Sequence, residues 1–265
     1  MRLVRSVAEV REALREPRAR GERIGLVPTM GAFHAGHLAL IRAAREAADV
    51  VVVSLFVNPS QFDAADDLAR YPRDETADAR TAEAEGLDLL FAPTAEELYP
   101  PGFDTWVEPG EHGSVLEGAA RPGHFRGVAT VCTKLFAIVQ PELAWFGQKD
   151  AQQVAVIRRV VADLNLPLEV RVVPTVRDAD GLALSSRNSL LSPAERTTAL
   201  ALPRALDAGL EAHRVGGDAE ASARRALLEA GVDIDYVAVA RFDMPTLVAA
   251  IRVGSTRLID NVVLD

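Results

Sequence analysis

The chain has 265 residues, 49% of them apolar and 25% charged, and a formal net charge of −9. That length suits one large domain or two modest ones, and that balance excludes a disordered or collagen-like chain. The acidic total speaks against a broad basic surface for coating nucleic acid. Only two of the 29 basic residues are lysines, Lys134 and Lys149. Lys is a mobile point charge and Arg a planar fork, so the two lysines are worth following.

In chain order, the first 23 residues are charged throughout, with no apolar core of signal-peptide length. Residues 24–28 (IGLVP) read as a short buried strand. His37 to Ala48 reads as a helix with Leu38, Ile41, Ala44 and Ala48 at helical spacing. Residues 50–57 are β-branched and apolar on both faces, as a central parallel strand is. They are too few for the roughly 20 residues of a membrane-spanning helix. A helix over 74–86 ends in Gly86, and 87–92 is the next strand. Then follow a helix over 127–139, a strand over 142–146, a helix over 151–164 and a strand over 168–173. This alternation predicts a doubly wound parallel sheet with helices on both faces.

Beyond residue 176 the pattern changes to helices over 193–212 and 219–231 and strands over 234–240 and 255–263. The expected division is a domain over 1–176 and a smaller α+β domain over 177–265 that covers the active site. The single cysteine, Cys132, lies in an apolar run and reads as packing; one thiol excludes an internal disulfide and fits a reducing, cytoplasmic setting.

Three segments carry chemistry. VPTMGAFHAGH (27–37) sets a Gly-containing turn after the first strand and two histidines at the start of the first helix. That is the carboxyl end of a strand, where ligands bind in such sheets, and a helix N-terminus suits phosphate. Gly36 permits close backbone approach, and His34 and His37 share one face. Two incidental histidines or a metal pair are the other readings; the metal pair lacks a neighbouring Glu or Cys set. No G-x-G-x-x-G is present, against a dinucleotide dehydrogenase. WFGQKDAQQ (145–153) belongs to the same sheet edge and holds Lys149. Gly147 there would admit a base or ribose, Asp150 could accept from a hydroxyl, and Gln153 follows one turn later; a solvated helix start capped by Asp150 is the plain alternative. GLALSSRNS (181–189) offers two hydroxyls, Ser185 and Ser186, and the fixed charge of Arg187 as an anion clamp, or an ordinary polar linker.

Six motifs in this order, PTMG-x-x-H-x-GH, VNPSQF, YPR, GHFRGV, FGQKD-x-QQ and LSSRN, resemble the pantothenate synthetase (pantoate–β-alanine ligase) family over residues 27 to about 191. The first and last also resemble the two signatures of the wider nucleotidylyltransferase superfamily. The resemblance implies a Rossmann-like domain and ATP-dependent joining of pantoate to β-alanine through a pantoyl adenylate, with AMP and pyrophosphate released. It implies a nucleotide site of Met30, Gly31, Ala32, Phe33, His34, Ala35, Gly36, His37, Gly147, Gln148, Lys149, Asp150, Val176, Leu184, Ser185, Ser186 and Arg187. His34, His37, Lys149 and the Ser185–Arg187 segment would be its catalytic groups, with His37 as proton donor. Gln61 and Gln153 would bind pantoate, Gln61 also β-alanine, and Asp78 would help hold Mg²⁺. A cytoplasmic homodimer is implied, with no nucleic acid or membrane partner. A related nucleotidylyltransferase using another acceptor is the nearest rival, and a non-catalytic nucleotide sensor the one from another class. His124, Arg126 and Lys134 keep open roles: site closure, helix entry or a helix-face charge.

Overall fold

A computed structural model of the chain describes residues 1–62 and 65–265. Six strands, β1 (Arg2–Val4), β2 (Ile24–Thr29), β3 (Val50–Leu55), β4 (Leu89–Phe91), β5 (Leu143–Gly147) and β6 (Glu169–Val173), form one sheet in the order β1-β4-β3-β2-β5-β6. Every pairing is parallel. The period-2 geometry of a strand explains the apolar runs: Ile24, Leu26, Val52, Phe91 and Phe146 enter one core, and Val27, Val51, Val53, Leu90 and Trp145 the other.

The helices sort by direction of travel. Val7–Ala19, His124–Val139 and Ala151–Asp163 follow strands whose chain next moves toward β6, and they share the first core through Leu14, Phe136 and Ile157. The helices Ala35–Ala47 and Glu75–Ala84 lead the other way and share the second through Ile41 and Ala82. Right-handed crossovers put oppositely directed connections on opposite faces. The reversal falls between β2 and β5, which are direct neighbours. Their carboxyl ends are the crevice position of such a sheet, and residues 30–34 and 148–150 leave from them. Cys132 is buried and its thiol is pushed up to about 12 by loss of water, so it is packing material.

The chain divides into two compact units, residues 1–147 with 153–173 and residues 148–152 with 174–265. The second contains an antiparallel sheet, β7 (Asp233–Arg241), β8 (Pro245–Val253) and β9 (Thr256–Val263), in the order β7-β8-β9. Helices Pro193–Ala199, Ala201–Arg214 and Ala219–Glu229 share its core through Ala199, Leu202, Leu206, Leu227, Leu247 and Ile251.

Beyond β1 and the Val7–Ala19 helix, which the sequence reading does not name, two features depart from the sequence expectation. The single helix over 193–212 is two helices that break at Leu200. Pro203 has no N–H to give the Ala199 carbonyl, and its ring crowds that oxygen, so the first helix cannot run on. Strand β8 was not anticipated. Its sequence, PTLVAAIRV, shows no alternation because seven of its nine residues are buried, in the middle of the sheet.

Candidate active site

The turn after β2 is tightly specified. Gly31 has φ +86 and Ala32 has φ +53, both in the left-handed region. A Cβ on Gly31 would stand 2.7 Å from Leu55 Cδ1 and 2.8 Å from Asp78 Oδ2, so glycine is required by conformation and by space. Asp78, from the 75–84 helix, is 4% exposed. Its Oδ2 accepts from the Ala32 N–H at 2.9 Å and its Oδ1 from the Phe33 N–H at 2.7 Å. The carboxylate thus holds two consecutive amides that have no place in a strand ladder or helix.

The next residues start the 35–47 helix in an unusual way. His34 is the N-cap: its Nδ1 accepts from the Gly36 N–H at 3.1 Å, while the His34 N–H donates to His37 Nδ1 at 3.3 Å. This is a reciprocal capping box built from two imidazoles instead of a hydroxyl and a carboxylate. Because each Nδ1 accepts, each neutral ring carries its proton on Nε2. The rings lie 4.1 Å apart between centroids. Burial first, and the neighbouring His34 second, push the His37 pKa down to about 3. At neutral pH His37 is therefore an uncharged hydrogen-bond donor.

That shift has a consequence for stability. Between about pH 6.5 and 3 an unfolded His37 binds a proton that the folded ring refuses. Stability from this residue is complete above about 6.5 and is lost as the pH falls, with a slope of at most ~1.4 kcal/mol per pH unit. Thermal melting of His37→Asn should depend less on pH across this window than that of the wild type. Identical pH slopes would refute the assignment.

Gln61 sits on a 3₁₀ turn, Pro59–Gln61, capped by Asn58. Its Nε2 donates to Met30 Sδ at 3.1 Å and its Oε1 accepts from Asn58 Nδ2 at 3.0 Å, which joins this turn to the one after β2. Three further groups hold it. Tyr99 Oη donates to Asn58 Oδ1 at 2.8 Å. His124 Nδ1 meets the Gln61 carbonyl at 2.8 Å, which places the His124 ring proton on Nδ1. Gly127 lets the 124–139 helix pack directly on the Ser60 carbonyl, where a Cβ would collide. The open role of His124 is thereby filled: it anchors the Gln61 turn. Arg126 instead pairs with Glu108 at 3.2 Å and lies 4.5 Å over the Trp106 ring. Lys134 lies 4.7 Å over Phe103. Gln153, half-buried, is in the first turn of the 151–163 helix.

In the second unit, Gln148–Asp150 form a 3₁₀ turn. Lys149 is 19% exposed at its side chain, with Nζ 3.6 Å from Asp150 Oδ1. A Cβ at Gly147, the residue before, would meet nothing within 4 Å, so space over that backbone is open. Val176 and Leu184 face each other across a narrow loop through a 2.9 Å backbone bond. Ser185 caps the following turn by accepting from the Arg187 N–H at 3.3 Å, so Ser185, Ser186 and Arg187 sit on one tight 3₁₀ segment.

The expected residues therefore fall in two sets. Met30 to His37, Gln61, Asp78, Gly147 and Gln153 are in the first unit; Gln148, Lys149, Asp150, Val176, Leu184 and Ser185–Arg187 are in the second. Reading the sequence missed Asn58, which bonds Gln61 three residues on, Tyr99, which bonds Asn58 from 41 residues away, and Asn261, which bonds Gln148 and Lys149 from more than 110 residues away. Of these, only Asn58 lay inside a recognised motif. Among the described residues no group of three or more His, Cys, Asp or Glu is placed to hold a metal ion, and no helix is long and apolar enough to cross a membrane.

Over residues 2–263 the chain matches a family model described as pantoate-beta-alanine ligase. A Moorella thermoacetica protein named pantothenate synthetase is 51% identical over 280 residues, covering 100% of this chain and 99% of that one. The crystal structure of pantothenate synthetase from Thermus thermophilus matches with a TM-score of 0.94 at 48% identity, covering 100% of this chain and 99% of that one. The crystal structure of pantoate-beta-alanine ligase from Francisella tularensis, complexed with beta-gamma ATP and beta-alanine, matches with a TM-score of 0.86 at 33% identity, covering 99% and 97%.

Proposed function

This chain belongs to the pantoate–β-alanine ligase family, and from that premise we propose that it makes pantothenate in two steps. In the first, a pantoate carboxylate oxygen attacks the α-phosphorus of ATP; the bond to the β-phosphate oxygen breaks and pyrophosphate leaves. In the second, the unprotonated amine of β-alanine attacks the acyl carbon of pantoyl adenylate, loses a proton, and AMP leaves. Each nucleophile comes from a substrate, so the protein's task is positioning and charge stabilisation. The Francisella complex supports ATP and β-alanine as substrates.

The observation that carries this reading is the imidazole capping box. It holds two Nε2–H donors at the start of a helix, beside the sheet edge where the strand order reverses. His34 and His37 would donate to phosphate oxygens. The field of bound phosphate would raise the His37 pKa and make its proton available to the leaving group. Lys149 would hold the phosphates as a mobile charge, and Ser185, Ser186 and Arg187 would clamp them. Met30 to His37, Gly147 to Asp150, Val176 and Leu184 would line the nucleotide. Gln61 and Gln153, as neutral amides, would bind the pantoate hydroxyls and carboxylate, with Gln61 next to β-alanine.

A magnesium ion carried on ATP needs only one or two protein carboxylates. Asp78 fits that need, since each oxygen keeps a lone pair after accepting one N–H. Bound there, the ion would offset phosphate charge. We assign the protein to the cytoplasm and to a homodimer on the family resemblance.

Pyrophosphate–ATP exchange tests the order of steps. It should require pantoate and proceed without β-alanine. Exchange seen only when β-alanine is present would overturn the adenylate intermediate. Product analysis for AMP and pantothenate separates this reaction from nucleotidyl transfer to another acceptor.

A further inference from the structure

We propose that Asn261 is a positioning residue for Lys149, a role that rests on Lys149 being the phosphate-binding lysine. Asn261 lies on β9, paired with Val248 of β8, and is 5% exposed. Its Nδ2 donates to the Gln148 carbonyl and to the Lys149 carbonyl, both at 2.9 Å. Its Oδ1 accepts from Gln148 Nε2 at 3.3 Å. The Asn261 N–H donates to Asp260 Oδ1 at 2.8 Å. Asp260, with 1% of its side chain exposed, is gripped by Arg177 at 2.6 and 3.1 Å.

One carboxamide thus holds two consecutive carbonyls, and so fixes two peptide planes of the turn. The residue between those planes is Lys149. A lysine side chain is a flexible four-carbon stem, so where its ammonium reaches depends on where its backbone is held. The chemistry of the link is specific. Two N–H donors and one acceptor are all used, and the donors face acceptors only. A carboxylate of the same shape would press oxygen against two carbonyl oxygens. An aliphatic side chain would leave both carbonyls without partners.

The test compares Asn261→Asp and Asn261→Ala with Lys149→Ala and with Thr256→Val, a buried β9 position away from the turn. Readouts are kcat and ATP KM of pantoate-dependent exchange, pantoate KM, far-UV circular dichroism and thermal melting. Asn261→Asp should fold, lose at least about tenfold in kcat and raise the ATP KM, because small misplacements of a charge-bearing group cost that much. The pantoate KM should stay within about twofold, since uniform substrate binding is untouched. Asn261→Ala should show the same pattern more weakly. Unchanged kcat and ATP KM in either folded Asn261 variant, alongside an inactive Lys149→Ala, would overturn the proposal. So would equal losses in Thr256→Val at equal melting temperature, which would make the effect one of general stability. Full exchange in Lys149→Ala would instead remove the reading of Lys149 itself.

Discussion

Lys149→Ala is expected to lower pantoate-dependent pyrophosphate–ATP exchange by about 100- to 1,000-fold while leaving the melting temperature close to wild type. The magnitude is that of removing one well-placed group from a developing phosphate charge. The fold should survive, because the side chain's ion pair is a 3.6 Å contact to a half-exposed Asp150, and such pairs contribute ~1 kcal/mol or less. Lys149→Arg should recover only part of the rate: a planar guanidinium on a longer stem cannot occupy the place of an ammonium. Near-normal exchange in Lys149→Ala would contradict the assignment. The overall charge of −9 is no obstacle to this chemistry, since the groups proposed to act on the triphosphate would do so locally, whatever the charge of the whole chain.

Asp78→Asn is expected to be nearly as damaging for a different reason. The asparagine keeps one oxygen acceptor but turns an NH₂ group toward the second of the two amides, Ala32 or Phe33. A buried N–H then loses its partner and faces another donor, at a cost of about 1–3 kcal/mol. The turn that carries His34 should shift, exchange should fall at least about 30-fold, and the melting temperature should drop. A magnesium titration separates the turn-holding seen for this carboxylate from the metal-binding role proposed for it. Raising Mg²⁺ should leave most of the deficit in place, because the loss lies in the turn. Full recovery at high Mg²⁺ would confine Asp78 to metal binding.

What could be read from the chain, and what could not, follows from how far each interaction reaches. The valine run of β3 reads as a buried strand because both its faces are covered. The turn after β2 reads as a site because its glycine and histidines are neighbours in sequence. Strand β8 does not read as a strand, since its central place removes the alternation that marks a half-buried one. The break at Leu200 depends on Pro203 lacking one hydrogen bond inside an otherwise helical pattern. Site geometry was least legible where partners are remote. Asn261 lies more than 110 residues from Lys149, and His124 more than 60 from the Gln61 carbonyl it holds. Motif spacing contains no trace of such contacts. The family resemblance singled out Asp78 for magnesium, but its hold on the Ala32 and Phe33 amides was not legible, because helix and turn meet only in three dimensions.

The histidine cap has a further implication for how this protein could be improved or could decay. Asp, Asn and Ser are the strongest residues at a helix N-cap, and His34 occupies that position here. Selection for heat resistance alone would favour replacing it, and with it one of the two ring donors. Selection for turnover would oppose the same change. With His34 as the proposed donor to phosphate oxygens, the N-cap of this helix is a point where robustness and activity compete for one side chain, and a consensus-style stabilisation of the enzyme should leave it alone.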